Sequence, residues 1–271
     1  MSLVVGHPEA MSTGELRAIF DEDAALYDRA RPTYPSSLLG DLEQLAEIGP
    51  GTRVVEIGPG TGQATLALAA TGARVVAVEL GPSLAARLRD KVAGLPIQVV
   101  VGAFEEWPLP DEPFDAVAAF TAWHWLDRGT RARKAYEALR PGGTLATVTT
   151  THVLGGTEEF FADVQDCYVR WDPDTPSAVE LAPASEVPPA MDEIDDSDRF
   201  EPAIRRRYEH DIRYPTAAYL NVLNTYSGHR ALPPNLRAGL LGCIGELIDS
   251  RYGGEITKRY LYELRVARRR P

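Results

Sequence analysis

Cysteine is scarce. Cys167 and Cys243 are the only two among 271 residues, they lie far apart, and neither belongs to a Cys-x-x-Cys pair. That argues against a zinc ribbon or a disulfide-stapled scaffold, and both thiols are expected on apolar helix faces as small core residues. No metal site is expected. No stretch approaches the roughly 20 apolar residues of a membrane span, and no basic segment precedes an apolar one among the first residues. The expectation is a cytoplasmic protein with no membrane partner. Positive charge is in short supply as well, with 28 Lys and Arg against 39 Asp and Glu and a formal net charge of −11. A nucleic acid partner is therefore not expected, since neutralising phosphates needs a basic face.

What remains is ordinary for a globular chain: 44% hydrophobic and 25% charged residues. The length suits one large domain, or one domain carrying an insertion. The most informative stretch is Thr52 to Thr65. Arg53-Val54-Val55-Glu56-Ile57 reads as a short buried strand, Gly58, Gly60 and Gly62 follow at alternate positions, and an alanine-rich helical pattern begins after them. Glycines let the backbone take positive φ and approach a ligand closely, and a helix start offers unpaired N–H groups. The turn is a cradle for a nucleotide-like ligand. A dinucleotide fingerprint, G-x-G-x-x-G, would need glycine at position 63, where the chain has Gln63. Glu79 ends the next strand, Ala73 to Val78, about 20 residues beyond the first glycines, where a carboxylate can accept hydrogen bonds from both ribose hydroxyls.

With Glu56-x-Gly58-x-Gly60-x-Gly62 and Glu79 so spaced, the sequence resembles the class I methyltransferases that use S-adenosylmethionine. The resemblance implies that Glu56, Gly58, Gly60, Gly62 and Glu79 surround the methionine and ribose parts of that cofactor. It also implies an acid after the third strand, Ile97 to Val101, to bind the adenine amino group. Ala103 occupies that position here, which leaves Ala103, Phe104 and Glu105 as the adenine-side candidates: Phe104 by stacking, the others by backbone or carboxylate contacts. Trp107 reads as a packing residue.

The segment Tyr27-Asp28-Arg29-Ala30-Arg31-Pro32-Thr33-Tyr34-Pro35 resembles the entrance segment of many small-molecule enzymes of this class. Tyr27, Arg31 and Tyr34 are thereby candidates for contact with substrate or with the methionine carboxylate, the alternative being a rim position in a helix-to-helix turn. Trp123-His124-Trp125 follows the fourth strand, Phe114 to Phe120, at the sheet edge where ligands of doubly wound folds lie. His124 serves either as a general base or as a cavity wall, and Trp123 and Trp125 as substrate walls. This motif adds a similarity to trans-aconitate methyltransferase-like enzymes.

Strand and helix alternate five times from Thr52 to Thr150, which implies a parallel sheet with right-handed crossovers. The expected fold is α/β: a Rossmann-like, seven-stranded, mostly parallel sheet with an antiparallel last strand and helices on both faces. Its parts are a helical cover over 12–51, a cofactor core over 52–150, an insertion or lid over 151–199, and terminal strands and helices over 200–271. The acidic run Asp192 to Asp198 reads either as part of the lid or as a solvated loop, and Arg268-Arg269-Arg270 as a solvated terminus. The expected activity is methyl transfer to a small-molecule carboxylate or hydroxyl. A cofactor-binding regulatory protein and a protein-directed methyltransferase are the rivals.

Overall fold

A computed structural model describes residues 17, 19–172 and 181–271. Residues 12–16, where the expected helical cover begins, and residues 173–180 of the expected insertion lie outside the described residues. In chain order the elements are α1 (Ala24–Ala30), α2 (Ser36–Leu45), β1 (Arg53–Ile57), α3 (Thr65–Ala70), β2 (Arg74–Glu79), α4 (Pro82–Lys91), β3 (Ile97–Val101) and β4 (Phe114–Phe120). After a 3-10 turn at Trp123–Trp125 come α5 (Arg131–Ala138), β5 (Leu139–Gly156), α6 (Glu158–Asp163) and α7 (Gln165–Trp171). The chain ends with β6 (Ile204–Pro215), α8 (Thr216–Leu223), α9 (Ser227–Ala231), α10 (Pro234–Arg251) and β7 (Glu255–Arg268).

The strands form one seven-stranded sheet in the order β3-β2-β1-β4-β5-β7-β6, parallel from β3 to β5 and antiparallel at its last strands. β1 reads as a near-continuous apolar run because it has a strand on either side: Val55 pairs with Val76 of β2 and with Val117 of β4. Strand order reverses between β1 and β4, the position at which doubly wound sheets open a crevice.

Two compact units divide the chain. The first comprises residues 1–31, 151–188 and 209–261, and the second residues 32–150, 189–208 and 262–271. The 151–199 stretch, expected as one insertion, is thus shared between them. In the second unit the core is built by Val55, Ile57, Val78, Phe104, Phe114, Val117, Leu139 and Phe200, all at most 2% exposed. Its acidic run is not a solvated loop. Asp192 and Asp195 both pair with Arg265, Glu193 pairs with Arg131, and Asp195 also pairs with Arg205. Arg131 and Arg265 are buried, so these carboxylates neutralise charges that water cannot reach. Burial pushes the Asp192 carboxyl up, but the Arg265 hydrogen bonds and charge outweigh it and hold the group below its ordinary range.

The terminal arginines, half-buried at Arg268 and Arg269 and exposed at Arg270, are each tied back to the chain. Arg268 donates to the Gly142 carbonyl at 2.6 Å, Arg269 lies 4.1 Å from the Tyr136 ring centre, and Arg270 donates to the Phe200 carbonyl at 3.0 Å. β5 begins at Leu139, which pairs with Phe114 of β4 before a bulge.

In the first unit, Cys167 of α7 and Cys243 of α10 form a disulfide, which corrects the expectation of two separate core thiols. Spacing could not reveal it, because 76 residues separate the pair. One turn along each helix, a Cβ on Gly239 would lie 2.2 Å from the Trp171 ring. A glycine there lets the indole lie against the α10 backbone. The same unit holds Phe160 against Tyr219 and Tyr252, with ring centres 5.6 and 5.4 Å away.

Candidate active site

The glycine turn leaves β1 with φ of +62° at Gly58, +61° at Gly60 and +95° at Gly62. These values are costly for residues with a Cβ, and space forbids one as well: it would lie 2.8 Å from Ala122 at Gly58 and 2.7 Å from Leu88 at Gly62. Glu79 fixes the turn from the end of β2. One carboxylate oxygen accepts from Gly60 N and the other from Gly81 N, each at 2.8 Å, and the side chain is 6% exposed. A carboxylate oxygen accepts more than one hydrogen bond, so ribose hydroxyls can still be added. Lys91 holds the far side of the turn by donating to the Thr61 carbonyl at 2.9 Å.

Glu56 lies beneath, 1% exposed, and its Oε2 has no hydrogen-bond partner. Burial raises its pKa from 4.5 to about 7, the Thr65 hydroxyl working against this and Glu79 adding to it. An orphaned buried carboxylate oxygen below a turn of three positive-φ glycines fits a ligand with a cationic amino group and a ribose, as S-adenosylmethionine has.

The segment after β3 is held from outside. Lys134 donates to the carbonyls of Glu105 at 2.7 Å and Trp107 at 2.6 Å. Phe104 is 1% exposed, packed in the core with the Lys134 ammonium 5.7 Å from its ring centre, so its ring serves packing. Glu105 accepts from the Asp127 amide at 3.1 Å, and the Ala103 carbonyl closes the turn by accepting from Glu106 and Trp107.

Beyond β4 the three motif residues differ sharply. Trp123 is buried, its indole donates to Asp192 at 3.0 Å, and the Arg131 guanidinium lies 5.1 Å from its ring centre. Trp125 is half-buried and His124 exposed, with their rings 5.0 Å apart. Tyr34 is half-buried: its hydroxyl is 3.1 Å from Thr121 Oγ1, and its ring packs on Phe120 and Tyr262. Tyr27 and Arg31 belong to the first unit, where the Arg31 guanidinium lies 5.0 Å from the Tyr27 ring centre.

Thr121 was not legible in the sequence as a site residue. It takes a φ of +54°, which is rare for a β-branched residue, and its hydroxyl also meets Thr150 at 3.1 Å. Such strain clusters at functional positions, and Thr121 sits where β4 opens beside the glycine turn. Among the described residues no group of His, Cys, Asp or Glu is arranged to hold a metal ion.

Residues 55–147 match the family described as methyltransferase domain. An uncharacterized methyltransferase of Mycobacterium tuberculosis is 37% identical over 141 residues, which cover 52% of this chain and 55% of the relative. The chain thus spans about half the length of the curated relatives it matches. A solved structure assigned as a type II methyltransferase from Anaeromyxobacter dehalogenans is 26% identical, with a TM-score of 0.59 over 89% of this chain and 97% of that one. Phosphoethanolamine N-methyltransferase 2 of Haemonchus contortus, solved with S-adenosyl-L-methionine, shares the fold: TM-score 0.53, 17% identity, 97% of this chain and 61% of that one. The residues that match this family, 55–147, run from β1 into β5 of the Rossmann-like sheet.

Proposed function

We propose that the protein transfers the methyl group of S-adenosylmethionine to the oxygen of a small-molecule carboxylate or hydroxyl. The observation that carries this reading is the glycine turn of residues 58–62, held in positive φ by Glu79 above the orphaned carboxylate of Glu56. When bound, S-adenosylmethionine supplies an electrophilic methyl group on a sulfonium. In this reading Glu79 accepts the ribose hydroxyls, the backbone of Gly58 to Gly62 follows the ligand closely, and Glu56 offsets the amino group. The Ala103 backbone and Glu105 hold the adenine side. His124, exposed on its 3-10 turn, takes the proton of a hydroxyl acceptor, and a carboxylate acceptor needs no base. Trp125 and Tyr34 exclude water from the reacting atoms.

The formal charge of −11 supports a small-molecule acceptor over nucleic acid. The test is turnover: the protein is incubated with S-adenosylmethionine and a panel of carboxylic acids and phenols, and S-adenosylhomocysteine is measured. Acceptor-dependent release is expected. Methylation of added protein substrates alone would contradict the small-molecule reading.

A further inference from the structure

β6 ends the sheet beside β7, and the outer flank of its backbone has no strand next to it among the described residues. It is long for an edge, 12 residues over Ile204–Pro215, and all of them but Tyr214 are exposed or half-buried. Natural edges of this kind are blunted by bulges, prolines or charges, because unpaired N–H and C=O groups are a template for another chain. Proline stands only at the far end, as Pro215. The strand reads Ile204-Arg205-Arg206-Arg207-Tyr208-Glu209-His210-Asp211-Ile212, with arginines before the tyrosine and carboxylates after it.

Side chains alternate along a strand, so Arg205, Arg207, Glu209 and Asp211 share one face. Two arginines converge there on Glu263 of β7, Arg207 at 2.7 Å and Arg205 at 3.7 Å, and Arg205 also meets Asp195. Further along, two carboxylates converge on Arg259, Asp211 at 2.6 Å and Glu209 at 3.6 Å. One stretch of the face is arginine-rich and the next carboxylate-rich. Arg206 lies on the opposite face and donates to the Arg205 carbonyl at 3.0 Å.

A two-fold axis perpendicular to a sheet brings two copies of one edge together antiparallel and keeps every residue on its own face. Centred on Tyr208, such a pairing sets Arg207 against Glu209, Arg205 against Asp211 and Ile204 against Ile212, each twice, with Arg206 opposite His210. Centred on Arg207 or on Glu209, it would put like charges on the axis, which is unfavourable. An acidic strand from another protein would meet Glu209 and Asp211, and a neutral one would leave all four charges unmatched.

We propose that β6 is a self-pairing edge: a second copy of this chain docks on it antiparallel, with Tyr208 on the two-fold axis, and extends the sheet across the dimer. The charges that disfavour other strands select this partner and this register. β6 takes no part in the glycine turn, so the inference is independent of the methyl-transfer reading.

The test uses the full chain. Sedimentation velocity is expected to show a reversible dimer that weakens as NaCl rises from about 0.05 to about 0.5 M, because exposed ion pairs are screened. Glu209→Lys is expected to weaken the dimer at least about tenfold with an unchanged circular dichroism spectrum. Cysteine cross-linking reads the register. Residues facing each other across an antiparallel pair have Cα atoms about 4.5–5.5 Å apart, within reach of a disulfide, so Tyr208→Cys is expected to give a covalent dimer on mild oxidation. Arg206→Cys and His210→Cys, each opposite the other's position, are expected to give none. A chain that stays monomeric at every concentration would overturn the proposal, as would a dimer indifferent to Glu209→Lys or one that Tyr208→Cys does not cross-link. Cross-linking through Arg206→Cys or His210→Cys instead would assign another register and overturn it too. Poly-glutamate serves as the acidic alternative, and a monomer that binds it would give the edge to a different partner, which also overturns the proposal.

Discussion

Glu56 and Glu79 flank the same turn, yet their hydrogen-bonding environments differ. Both oxygens of Glu79 meet backbone N–H groups, while Oε2 of Glu56 meets none. The pKa of Glu56 is raised from 4.5 to about 7, so in the ligand-free protein the folded state holds a proton that the unfolded state has already lost. Stability contributed by the neutral group is therefore full below about pH 4.5 and falls as pH rises towards 7, a loss of order 3 kcal/mol at most. Glu56→Gln should flatten that decline, which urea unfolding at pH 5 and pH 7.5 would measure; an unchanged slope would assign the pH dependence to other groups. Gly62→Ala should destabilise the protein by roughly 1–3 kcal/mol, because a Cβ there meets both an unfavourable φ and Leu88. At this scale the turn itself was legible, because three alternating glycines after a strand mark backbone that takes positive φ. Thr121 and the Asp192 anchor of Trp123 were not, since a positive φ at threonine and a partner 69 residues away leave no local pattern.

Among the elements, the strands were legible wherever both faces are buried, as in β1 and β2, since near-continuous Val and Ile runs have few other uses. Partners distant in sequence were not. The α7–α10 disulfide closes a long loop, so Cys243→Ala should cost about 2–4 kcal/mol in non-reducing buffer and almost nothing in excess reductant. Equal losses in both buffers would make the effect one of packing. Asp192 draws Trp123, Arg131 and Arg265 together, and Asp192→Ala should cost about 3–5 kcal/mol by leaving buried guanidinium charge under-compensated. Because the Asp192 carboxyl is held below its ordinary 3.8, its contribution is present above that pH and lost as acid brings the folded group to protonation. The variant should therefore unfold in acid with a shallower pH dependence than the parent, and an identical acid transition would speak against the network.

For the chain as a whole, the alternation from Thr52 to Thr150 was enough to predict five parallel strands, and the order β3-β2-β1-β4-β5 agrees with it. The division of residues 151–199 between two units was not legible, because each piece is fixed by partners distant in sequence: the Cys167–Cys243 bond for one, Arg131 and Arg265 for the other. The central claim is that the turn at 58–62, locked by Glu79, is a site for S-adenosylmethionine. The most direct test is calorimetric titration of the protein and of Glu79→Ala with S-adenosylhomocysteine, with NADH as the control. The account predicts saturable binding of S-adenosylhomocysteine alone, weakened at least about tenfold by Glu79→Ala with an unchanged circular dichroism spectrum. Binding of NADH instead, or equal affinity in the variant, would contradict it.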